Sequence, residues 1–95
     1  MPTVTARTVE LQLPTAIAWD RLKTAAMSLG KIEEAQENSR FLVLKARYGL
    51  NPVRLRVSVL SGPSADTSRL DIHGRGQDIW GIASRKVIDR LCAAL

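Results

Sequence analysis

Two neighbouring runs, residues 52–60 and 68–75, alternate apolar and polar side chains with a period of two. In the first, Val53, Leu55, Val57 and Val59 alternate with Arg54, Arg56 and Ser58. In the second, Leu70 and Ile72 alternate with Arg69, Asp71, His73 and Arg75. A strand sends successive side chains to opposite faces, so each run has one face fit for a core and one cationic face. The intervening Ser61-Gly62-Pro63-Ser64-Ala65-Asp66-Thr67 is rich in turn formers, which makes the pair an antiparallel hairpin. Whatever else the chain does, it must cover the Val/Leu/Ile face.

The rest of the sequence supplies that cover. Residues 4–13 predict a strand with Val9, Leu11 and Leu13 on one face and Thr8, Glu10 and Gln12 on the other. Pro14, lacking an N–H, ends it. Thr15 is the expected N-cap of a helix running to about Leu29, with Gly30 as its stop. Ala18, Trp19, Leu22, Ala25, Ala26 and Leu29 form its apolar stripe, and Ile17 and Met27 fall outside it. Residues 31–36 predict a weak strand, with Ile32 its one strong β-former. Glu37-Asn38-Ser39 turns the chain into a strand over residues 40–47. There, Leu42, Leu44 and Ala46 are expected inward, because that register keeps Lys45 and Arg47 in water. It leaves Phe41 and Val43 as an exposed pair. Gly49-Leu50-Asn51-Pro52 leads into the hairpin. After Gly74 and Gly76, Asp78 is expected to cap a final helix from Ile79 to the end, with Trp80, Ala83, Val87, Ile88, Leu91 and Leu95 on its apolar stripe.

The element order is thus β-α-β-β-β-β-α. It implies an α+β, two-layer fold: an antiparallel sheet of about five strands with two helices on one face. The pairing of the first strand, at an edge or in the middle, stays open. At 95 residues the chain suits a single domain.

The run Val9-Glu10-Leu11-Gln12-Leu13-Pro14-Thr15-Ala16-Ile17-Ala18-Trp19-Asp20-Arg21-Leu22 resembles the opening of helix-grip domains, the START-related and polyketide-cyclase-like superfamily. In those domains an edge strand ends in proline, a helix with an aromatic residue follows, and a long amphipathic helix closes the fold. The resemblance implies the same architecture and an apolar cavity beneath the last helix. This chain is a shortened version of that pattern, so a cavity of roughly 300 Å³ or more would take up much of its core.

Fourteen basic residues against nine acidic ones give a net charge of +5, which bears on partners and solubility rather than on fold. The single cysteine, Cys92, excludes an intrachain disulfide and fits a reducing compartment. No apolar run approaches the ~18 residues of a membrane span, and the first residues lack a signal-peptide pattern, so a cytoplasmic location is expected.

His73, the one histidine, lies two residues from Asp71 on the polar face, but no nucleophile joins it in a catalytic order. No metal-ligand spacing is present. Gly74-Arg75-Gly76 lacks the third glycine and βαβ setting of a phosphate-binding fingerprint. Cys92-Ala93-Ala94-Leu95 matches a prenylation box in form, yet falls within an amphipathic helix. These residues predict a binding domain rather than an enzyme, with no catalytic residues, metal or cofactor. Its partner is expected to be a small apolar ligand or a protein. Trp19, Leu55, Val57, Trp80, Val87 and Leu91 are the candidate ligand lining, and dense interior packing makes a filled core the default alternative for them. Arg54, Arg56, Arg69 and Arg75, with Lys45 and Arg47 beside them, offer a nucleic-acid or phosphate surface instead. Self-association through Phe41 and Val43 or an open sheet edge is the third reading.

Overall fold

The structure, a computed structural model, describes residues 3–76 and 81–95. Its elements are β1 (Thr3–Leu11), α1 (Thr15–Leu29), β2 (Lys31–Gln36), β3 (Phe41–Tyr48), β4 (Asn51–Ser61), β5 (Ser68–Gly76) and α2 (Ile82–Ala94). The strands form one antiparallel sheet in the order β1-β5-β4-β3-β2. β1 therefore sits at an edge, paired along its length with β5, and α1 carries the chain from that edge to the opposite one.

The expected alternation holds on the central strands. Leu42, Leu44 and Ala46 of β3, Val53, Leu55, Val57 and Val59 of β4, and Leu70 and Ile72 of β5 are all buried on the inner face. Ala18, Trp19, Leu22, Ala25 and Ala26 of α1 and Ala83, Val87, Ile88 and Leu91 of α2 close over them in one continuous core. Ile17 and Met27 stay exposed, as their positions off the stripe require. Gly74 sets how closely α2 approaches. A Cβ there would stand 2.9 Å from Leu55 Cδ2 and 3.2 Å from Ser84 Cβ. Glycine lets the helix settle directly on β5, and the buried Ser84 hydroxyl meets Thr5 Oγ1 at 3.0 Å.

Several strand ends lie one residue from the sequence reading, and three further boundaries differ by more or in kind. β1 stops at Leu11 rather than at residue 13. The cap of α1 is Pro14, whose carbonyl accepts from Ala18 N–H at 2.9 Å. Thr15 is instead the first helical residue, and its hydroxyl accepts from Arg40 Nη1 at 2.8 Å. Finally, α2 starts at Ile82 and not at residue 79, because Gly81 takes φ 69°, a left-handed conformation that interrupts a helix. Asp78, Ile79 and Trp80 lie outside the described residues. No described helix is long and apolar enough to cross a membrane.

The β2–β3 turn is clamped to α1. Glu37 accepts a hydrogen bond from Trp19 Nε1 and another from Lys23 Nζ at 2.9 Å, while Lys23 lies 5.3 Å over the Trp19 ring. The Lys23 ammonium, followed by the indole N–H, holds the Glu37 carboxyl below its ordinary range. A carboxylate favoured in this way stabilises the fold fully above its unfolded pKa, near 4.3, and loses that contribution as pH falls through the lower folded value. Glu37→Gln should therefore lower the thermal midpoint slightly at neutral pH and flatten its decline on acidification below about pH 4.3 by the same amount, the two proteins converging at low pH. Parallel acid profiles for the two proteins would refute the clamp.

Candidate functional site: the helix-free face of the sheet

The outer face of the sheet is covered by neither helix, and its strand register determines what it presents. Lys31 pairs with Lys45, Lys45 with Arg54, Arg54 with Arg75, and Arg75 with Val4. Directly paired residues share a face, so four cations stand in one row across β2, β3, β4 and β5. With strands about 4.8 Å apart, the row is about 14 Å long. The next row along holds Val43, Arg56 and His73, and the one beyond it Phe41, Ser58 and Asp71. Apart from Lys31, which stands at the end of its row, these rows line an open trough of about 1020 Å³.

A bulge in β2 provides the acids of this face. The pairing shifts between Ile32 and Glu34, which leaves Glu33 as an extra residue opposite β3. As a result both Glu33 and Glu34 reach the trough. Glu33 grips Arg54 through two bonds, to Nε at 2.8 Å and Nη2 at 3.3 Å. Among the described residues, Lys31, Lys45 and Arg75 have no carboxylate within salt-bridge distance. Asp71 lies 3.5 Å from His73 Nε2, and the Arg56 guanidinium lies 5.5 Å over the Phe41 ring. Phe41 and Val43 are therefore half-buried rather than an exposed pair.

The four arginines expected to act together do not all meet. Arg54, Arg56 and Arg75 converge on the trough, but Arg69 pairs with Leu60 and Glu10 at the other end of β5. Six residues separate it from Arg75, roughly 20 Å along a strand, and its Nη2 lies 3.8 Å from Glu10 Oε1. Lys31 joins the row without having been anticipated. The strand over residues 31–36 was expected, and the structure has it at the same bounds, but nothing in its sequence set its register against β3, and the bulge that brings in Glu33 left no signal at all.

The alternative candidates sit on the inner face. Trp19, Leu55, Val57, Val87 and Leu91 are buried against one another in the core beneath α1 and α2, and Trp80 lies outside the described residues.

Neither protein-family models nor curated protein sequences match the chain. Solved structures do. A START superfamily protein from Mycobacterium smegmatis superposes with a TM-score of 0.52 at 12% identity, over 96% of this chain and 92% of that one. The architecture is a START-like helix-grip. An uncharacterised protein from Bacillus thuringiensis aligns with a TM-score of 0.49 at 10% identity, over 97% of this chain and 90% of that one. The likeness to the first of these is one of fold.

Proposed function

We propose that the protein is a non-catalytic binding domain whose helix-free sheet face takes an anionic partner. The row of Lys31, Lys45, Arg54 and Arg75 carries this reading. Like charges directly opposite each other on a sheet are destabilising, and a fold gains nothing by lining them up. A phosphate- or carboxylate-bearing partner lying across the row turns that repulsion into attraction. Glu33 fixes the Arg54 guanidinium and leaves Lys31, Lys45 and Arg75 for the partner.

The expected result is retention on immobilised heparin that weakens steeply with salt, since counterion release dominates such binding. Lys45→Ala combined with Arg75→Ala should elute at clearly lower salt. Arg69→Ala, remote from the row and beside Glu10, should elute with the wild type. Elution of the wild type at low salt, or an equal shift for Arg69→Ala, would sink the proposal.

A second reading, the one the helix-grip resemblance of the sequence implies, is a small apolar ligand between α2 and the sheet. Its lining would be Trp19, Leu55, Val57, Trp80, Val87 and Leu91. With the described members packed on one another, that site needs α2 to lift from Gly74 before a ligand can enter. Saturable binding of an apolar dye at neutral pH would support it.

A further inference from the structure

The β3–β4 turn carries a feature that an anion-binding face does not require. Leu50, at the tip beside Gly49, is 92% exposed, the highest value among the large apolar side chains of the described residues. Hairpin tips favour Gly, Asn, Asp and Ser, which serve the turn and accept water. A bare leucine there contributes no packing to the fold. Immediately behind it Arg47 pairs with Pro52, and two residues further back stands the cation row. At the end of that row, on the edge strand, Val4 is 61% exposed and pairs with Arg75. Exposed apolar groups and the cations Lys31, Lys45, Arg47 and Arg75 thus share one end of the sheet; of the nearby acids, Glu33 is taken up by Arg54 and Glu34 lies beside the next row, whereas Glu10 and Asp71 lie towards the other end.

We infer that this end of the sheet docks on an anionic lipid bilayer, with Leu50 inserted at the headgroup boundary and Lys31, Lys45, Arg47 and Arg75 against the headgroups. The inference rests on the anion-binding reading above and adds its partner. An apolar anchor combined with a cluster of cations is the general requirement for reversible attachment to an anionic surface, since either alone is marginal. A second copy is a poor occupant because two such faces would bring their cation rows together. Nucleic acid would use the cations but has no need of Leu50. The row lies roughly 15 Å behind the tip along the hairpin, well beyond the screening length of about 8 Å at physiological salt. An upright approach would therefore waste the cations, so the sheet must tilt its outer face onto the membrane.

The full chain should co-sediment with phosphatidylcholine vesicles containing phosphatidylserine and not with pure phosphatidylcholine vesicles. Leu50→Asn should weaken partitioning about tenfold, and Lys45→Ala and Arg75→Ala about fivefold each. All three positions are exposed, and an unchanged circular dichroism spectrum would establish that the variants fold. Failure to bind the anionic vesicles overturns the inference, as does full binding by Leu50→Asn. If a single-stranded oligonucleotide is retained with Leu50→Asn behaving as wild type while vesicles are not bound, the membrane inference falls and the anion-binding function stands. If heparin, oligonucleotide and vesicles all fail, both fall.

Discussion

Gly30→Ala should destabilise the protein by about 3 kcal/mol, at the upper end of what overpacking a tight contact produces. Gly30 joins α1 to β2, and its N–H donates to the Ala26 carbonyl at 3.1 Å to close the helix. Its backbone is extended, at φ −178°, so the objection to alanine is not conformational. It is steric. A Cβ would stand 2.2 Å from the Lys45 carbonyl oxygen and 3.1 Å from Ala46 Cα, both backbone atoms of β3. A side chain can rotate away from such a contact, but a strand hydrogen-bonded on both sides cannot. Relief must come from moving the end of α1 off the sheet or from breaking the Lys31–Lys45 pairing that begins β2. Gly49→Ala is the matched control. It sits at φ 62° with nothing within 4 Å of the added carbon, so only left-handed strain of about 1 kcal/mol applies. Urea midpoints for the two variants would separate the effects. A smaller loss at Gly30 than at Gly49 would mean that the helix end does not rest on β3.

The contrast between those glycines also explains how much the sequence made legible. Period-two alternation in residues 53–59 and 70–72 placed the core, and the stripes on the two helices had only one face on which to dock. Fold class followed, because inner-face burial is a local consequence of the pattern. The clash awaiting a Cβ at Gly30 was not legible, since Lys45 is distant in sequence and meets it only through register. The same limit applies to the site. Arg54, Arg56, Arg69 and Arg75 were all readable as outward, yet only register separates Arg69 from the other three. Lys31 joined the row through its pairing with Lys45, and Glu33 through a bulge that no residue type announces. Which side chains share a face can be read from one strand. Which of them stand side by side depends on pairing between strands.

The second large effect concerns the face beneath α2. Leu55→Ala should destabilise the protein by about 3 kcal/mol, within the range typical of truncating a buried leucine. Leu55 is fully buried at the centre of the sheet, between Leu44 on β3 and Gly74 on β5. Gly74 has no side chain to fall into the space left behind, and strand pairing on both sides fixes the backbone. The loss should therefore include a cavity term as well as the transfer of the removed carbons. The same variant decides between a filled core and a ligand site. If Leu55 lines a space that already holds solvent or ligand, truncating it merely enlarges that space, and the loss should stay below about 1 kcal/mol. If the core is filled, the new void is dry and apolar, and the variant alone should gain affinity for a small apolar molecule. Denaturant unfolding, with benzene and apolar-dye titrations of both proteins, gives the answer. A large loss with benzene binding confined to Leu55→Ala and no dye binding by the wild type marks a filled core and leaves the outer face as the binding surface. A small loss with saturable binding by the wild type would move the site beneath α2, where Val57, Val87 and Leu91 would then be its walls.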